Sequence, residues 1–156
     1  YAALCRNVIV NGCEASIIPY PFCLSAAPGR IAFAHSSLEP GSALHLASAD
    51  GGKETVASVY RQEMLALSVD ALVTQFGFPV PSHLKIDVDG TELDVLRGAA
   101  GTLRSDRVRS IQVEVSPREP SAAEVVRLLS ERGFRLVSQA ARGGGDRWSN
   151  YLFVRP

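Results

Sequence analysis

The stretch HLKIDVDGTELDVLRGA, residues 83–99, decides how this chain folds. His83, Lys85 and Asp87 alternate with Leu84, Ile86 and Val88, the period of two that belongs to a β-strand. Asp89-Gly90 then supplies a turn, and from Thr91 the apolar residues recur at helical spacing, which predicts a helix to about Arg104. A strand passing through a tight turn into a helix is the building unit of an α/β sheet. In open α/β sheets ligands bind beyond the carboxyl ends of the parallel strands, so Asp87 and Asp89 fall where a site is expected.

Working downstream, Ser110–Val115 reads as a second strand. Ser121 is placed to cap a helix from Ala122 to Arg132, stopped by Gly133. Strands Phe134–Gln139 and Trp148–Val154, joined by a hairpin at Gly143-Gly144-Gly145, must run antiparallel because their link is short. Upstream, Tyr1–Asn11 pairs Leu4 with Val8 at helical spacing, and Gly12 stands where a helix end favours a left-handed residue. Ala15–Ser25 reads as a strand that Pro19 and Pro21 weaken. A turn at Gly29-Arg30 leads to a short strand, Ile31–Ala34. Residues 36–58 are rich in Ser, Gly and Ala and read as a loop, with His35 and His45 as solvated histidines. Ser68 caps a helix reaching Gln75, ended by Gly77 and Pro79. The expectation is an α/β fold in one domain over residues 1–156, with a mostly parallel sheet ending in an antiparallel hairpin.

Sixteen Lys+Arg balance sixteen Asp+Glu among the 156 residues. Without a basic excess, nucleic acid is not an expected partner. Apolar runs stay far below the roughly 20 residues that a membrane-spanning helix needs, and no signal peptide is visible, so no membrane partner is expected. Cys5, Cys13 and Cys23 are odd in number and lack metal-ligand spacing, which suits small buried thiols in a reducing, cytoplasmic compartment.

Asp87 and Asp89 end one strand, Glu114 ends the next, and Asn150 begins the returning strand, so all four are expected on one rim. Glu92 joins them in the first helical turn, where the helix dipole favours a carboxylate. His83, Lys85, Gln112 and Glu114 are polar positions in strands that should be buried on both faces. Lys85 should therefore pair with Asp87 or Glu114. That pair either anchors the fold or orients a substrate hydroxyl. Trp148 lies near the same rim, as packing or as a contact to a substrate ring.

Residues 83–99 resemble the "lKIDvEGaE…vLkGa" signature of FkbM-type methyltransferases, with Asp89 where that family more often has Glu. YAALCRNVIVNG, SVDALVTQFG, IQVEV, RGFRL and SNYLFV resemble family segments in the same order. The resemblance implies a Rossmann-like class I methyltransferase fold, S-adenosylmethionine as cofactor, and O-methylation of a hydroxyl on a small-molecule acceptor such as a sugar or secondary metabolite. It implies Asp87 as the group that orients the acceptor or takes its proton, with Lys85 and Glu114 beside it. Asp89, Glu92 and Asn150 are then acceptor-binding residues, and Leu24 and Cys23 border the adenine. A metal-dependent version would set a divalent ion between Asp87 and Glu114; the preferred assignment has no metal.

The family's glycine-rich first turn and the acidic end of its second strand are not found. The chain also begins at Tyr1, within a helix. It therefore reads as N-terminally truncated, with a sheet gap or an open edge at strand 83–88, and it is expected to bind cofactor weakly or not at all by itself. Two other readings follow from the sequence. One is a non-catalytic or degenerate fragment of such a domain. The other is a haloacid-dehalogenase-type phosphatase, since Asp87-Val88-Asp89-Gly90-Thr91 matches its D-x-D-G-T block, although no lysine follows Thr91.

Overall fold

Eight strands and four α-helices are present in a computed structural model that describes residues 1–37, 39, 46–48 (backbone only), 59–141 and 148–156. In order they are α1 (Ala2–Val10), β1 (Cys23–Leu24), β2 (Gly29–His35), β3 (Leu46–Ser48), β4 (Tyr60–Leu67), α2 (Val69–Thr74), β5 (His83–Ile86), α3 (Glu92–Arg97), a 3-10 turn (Thr102–Arg104), β6 (Ser110–Val115), α4 (Pro120–Glu131), β7 (Arg135–Ala141) and β8 (Ser149–Val154). The hairpin placed at Gly143–Gly145, the loop residue His45 and most of residues 36–58 lie outside the described residues.

The α/β composition matches the sequence reading, but the mostly parallel sheet does not. The described strands form two four-stranded mixed sheets, ordered β1-β4-β2-β3 and β5-β6-β8-β7. Only β1 with β4 and β5 with β6 are parallel there; the other described pairings are antiparallel. The difference lies in β2, which pairs antiparallel with both β3 and β4, and in β8, which pairs antiparallel with both β6 and β7. β3 falls inside the stretch read as loop, and β4 was given no element. Pro19 and Pro21 withhold ladder donors, so the strand expected over Ala15–Ser25 shrinks to Cys23–Leu24.

The helix expected over Thr91–Arg104 is two pieces. Its break coincides with the Asp70 carboxylate, which accepts the N–H groups of Gly101 and Thr102 and the Thr102 hydroxyl at 2.7 Å each, so a new turn starts there. The Asp70 N–H in turn donates to the Gly98 carbonyl at 2.9 Å. Ser68 caps α2 as expected, its hydroxyl accepting from the Ala71 N–H at 3.1 Å. Ser121 does not cap α4: Pro120 occupies the first turn, where its fixed φ favours helix, and Glu119 precedes it without a side-chain cap bond.

The core lies almost wholly in the second half. Val95, Leu96, Leu103, Val108, Ile111, Val113, Val125, Leu129 and Phe153 are fully buried between the β5-β6-β8-β7 sheet and α3–α4. Arg155 closes this core from the chain end. Its guanidinium donates to the carbonyls of Val108, Arg132 and Leu103 and stacks over Phe134 at 4.3 Å. β1 and β5 are each the outer strand of their sheet, and Leu24 packs on the core from the β1 side. No helix among the described residues is long and apolar enough to cross a membrane.

Candidate functional site

β5 is an edge strand among the described elements, which explains its polar alternation. His83 and Lys85 occupy an exposed face rather than a covered one, and His83 Nδ1 lies 2.7 Å from the Ser110 hydroxyl. Lys85 pairs with Asp87 at 2.9 Å with its side chain 62% exposed. The sequence reading offered Asp87 or Glu114 as partner; the structure has Asp87, in a pair that water screens to about 1 kcal/mol or less.

Beyond Ile86 the chain leaves the sheet through a tight turn. The Val88 carbonyl accepts the Thr91 N–H at 3.1 Å, and Asp89 and Gly90 both have positive φ, at 30° and 102°. This turn puts Asp87, Val88, Asp89 and Thr91 on one wall of a cavity of about 390 Å³. Phe22, just before β1, Cys23 and Leu24 within it, and Phe33 from β2 complete the lining. The volume falls within the roughly 300–1,000 Å³ typical of small-molecule sites. Burial raises the Cys23 thiol's pKa, so it stays protonated, and its Sγ sits 3.6 Å from the Met64 sulfur.

Four of the eight residues singled out from sequence thus line one cavity: Leu24, Cys23, Asp87 and Asp89. The other four do not. Lys85 reaches the cavity through Asp87. Glu114 is buried in β6 opposite Asn150 of β8, and Asn150 Oδ1 accepts the Gln112 amide at 2.7 Å. The parallel register pairs Ile86 with Val113, so Asp87 stands level with Glu114 at the same end of the sheet, yet Glu114 does not line the cavity. Glu92 is 5% exposed and turned toward the loop, its Oε1 accepting the Gly90 N–H at 2.9 Å. Burial pushes the Glu92 carboxyl's pKa up; the Gly90 and Glu92 amides oppose this, while Asp89 and Glu119 add to it.

Sequence reading did not single out Phe22, Phe33, Val88 and Thr91, the other four lining residues. Phe22 directly precedes the residues assigned to the adenine, which is the signal that was there to use; Phe33 needed the β2–β4 pairing. Among the described residues no group of three or more His, Cys, Asp or Glu is placed to hold a metal ion. A bridging ion between Asp87 and Glu114 would therefore lack a third side-chain ligand of these types among them.

A mixed α/β frame with a cavity lined by the outer strand β1 and by the turn beyond the carboxyl end of the outer strand β5, combining apolar rings with carboxylates, has the form of a small-molecule site in an open-sheet protein. The methyltransferase FkbM domain model matches residues 1–136, and the chain belongs to that family. A curated relative, the hexuronic acid methyltransferase AglP of Haloferax volcanii, is 30% identical over 118 residues, 74% of this chain. The chain spans 43% of that relative's length. No solved structure matches it.

Proposed function

We propose that the chain carries part of an S-adenosylmethionine-dependent methyltransferase site, where the donor meets a hydroxyl of a sugar-like acceptor. The observation that carries this reading is the cavity that sets Leu24 and Cys23 against Asp87 and Asp89. Its residues fit the cofactor in part. Phe22, Leu24 and Phe33 offer the apolar surface that a purine face needs, while Asp87 and Asp89 suit hydroxyl groups and a cationic centre. When bound, S-adenosylmethionine supplies an electrophilic methyl group. Membership of the FkbM family and the methyltransferase name of the Haloferax relative support the transfer, and the hexuronic acid in that name supports a sugar acceptor.

In this reading Asp87 accepts the acceptor hydroxyl's proton, which frees an oxygen lone pair for methylation, and Lys85 holds the Asp87 carboxylate at 2.9 Å in the orientation that can take it. Asp89 and Thr91 bind neighbouring hydroxyls. The rest of the work is alignment, because a displacement at carbon is accelerated chiefly by holding its partners in line. The family membership displaces the phosphatase reading of Asp87–Thr91.

The test incubates the chain with S-adenosylmethionine and a panel of hexoses and hexuronic acids, and analyses the products by mass spectrometry and NMR. A methyl ether is expected, with transfer lowered about a hundredfold or more in Asp87→Asn, the usual worth of a positioned general base. A methyl ester on the uronate carboxylate, or unchanged transfer by Asp87→Asn, contradicts the reading. No transfer to any acceptor favours a non-catalytic domain.

A further inference from the structure

The Asp89–Gly90 turn needs support. Positive φ is strained for a non-glycine residue, and Asp89 sits at 30° beside Gly90 at 102°. Thr91 returns two hydrogen bonds to the Val88 carbonyl, from its N–H at 3.1 Å and its hydroxyl at 3.3 Å. The Gly90 N–H is met from the other side by Glu92 Oε1 at 2.9 Å. Glu92 is an expensive residue there: it is 5% exposed, and Asp89 and Glu119 raise the cost of its charge further. An apolar side chain would fill that space more cheaply, so the carboxyl must gain something in return. The bond to Gly90 is that gain.

We propose that Glu92 is a positioning residue, whose buried carboxyl group fixes the left-handed Asp89–Gly90 turn and thereby sets Asp87 and Asp89 on the cavity wall. This replaces the acceptor-binding role assigned to Glu92 from sequence, because its side chain points into the turn and does not line the cavity. The mechanical part stands alone; its consequence for methyl-donor binding rests on the function proposed above.

Two variants separate this from plain core packing. Glu92→Gln keeps an oxygen acceptor of equal reach, whereas Glu92→Met fills the volume with no acceptor of comparable strength. Amide hydrogen exchange at Gly90, the side-chain ¹³C shifts of Asp87 and Asp89, and calorimetric titration with S-adenosylmethionine are measured in each. Glu92→Met is expected to speed Gly90 exchange about tenfold or more, move both carboxyl shifts, and weaken S-adenosylmethionine binding about tenfold, the effect of losing one hydrogen bond. The amides of Ile111 and Val113 should keep their protection, and Glu92→Gln should stay within about threefold of the native chain on every measure. A packing role predicts the reverse ranking or no difference at Gly90. Equal Gly90 exchange in the native chain and Glu92→Met overturns the proposal, as does a loss in Glu92→Gln matching that of Glu92→Met. Should Glu92→Met not fold, an unprotected Gly90 amide in the native chain overturns it and a protected one retained in Glu92→Gln supports it. If the native chain binds no S-adenosylmethionine, the functional reading fails, while the exchange data still decide the role of Glu92.

Discussion

The Asp70 carboxylate illustrates how one side chain sets local structure at a distance. Burial acts to raise its pKa, but the Thr102 hydroxyl, the Gly101 and Thr102 amides and the charge of Arg104 outweigh that and hold it below its ordinary value. A depressed carboxyl contributes stability that is present above its unfolded pKa of about 4 and is lost as pH falls through the folded value. Asp70→Asn, which keeps one acceptor oxygen and loses the charge, is therefore expected to cost about 2 kcal/mol near neutral pH. Urea denaturation should find that cost shrinking as pH falls below about 4 and through the folded value; a cost independent of pH would contradict the assignment. That Asp87, Asp89, Leu24 and Cys23 share a cavity was legible because strand ends are where α/β sheets present ligands. That Glu92 and Glu114 lie outside its lining was not, because a strand or helix position does not reveal which way a carboxylate turns.

At the scale of elements, the turn after α3 joins the two cavity walls. A Cβ at Gly98 would collide with the Ser25 carbonyl oxygen and approach the Ser68 Cβ at 3.0 Å. Ser25 follows β1 directly and donates its N–H to the Leu67 carbonyl at 2.9 Å. Gly98 thus permits the close approach of the β1 end to the helix that follows β5. Gly98→Ala is expected to lower the free energy of unfolding by about 2 kcal/mol, the range for overpacked sites, measured by denaturant titration. Native stability in that variant would mean that the contact yields easily. β5, β6 and the Ser68-capped α2 could be read from alternation and capping residues. β4 could not, because Gln62 and Met64 are half-buried while Arg61, Glu63 and Leu65 are exposed, so its two faces do not differ in polarity. The break between α3 and the 3-10 turn was equally hidden, since it depends on Asp70, about thirty residues away in sequence.

Across the molecule, the two sheets are unequal. The β5-β6-β8-β7 sheet holds the buried core and is closed by Arg155, while only Ile31, Ala66 and Leu67 are buried in the described part of the other. The family signature at residues 83–99 pointed to a largely parallel sheet, because a strand–turn–helix unit is shared by parallel and mixed folds and does not state how many antiparallel strands accompany it. What the signature did place is the β5 end, whose Asp87 and Asp89 line the cavity. That account claims that the methyl donor occupies the space between the β1 end and the β5 end. The most direct test titrates ¹⁵N-labelled chain with S-adenosylmethionine and follows its backbone amides. Shifts are expected at residues 22–24 and 87–91, with the adenine protons of the ligand receiving stronger saturation transfer than its methionine protons. Shifts confined to other segments, or none at millimolar ligand, would contradict the claim.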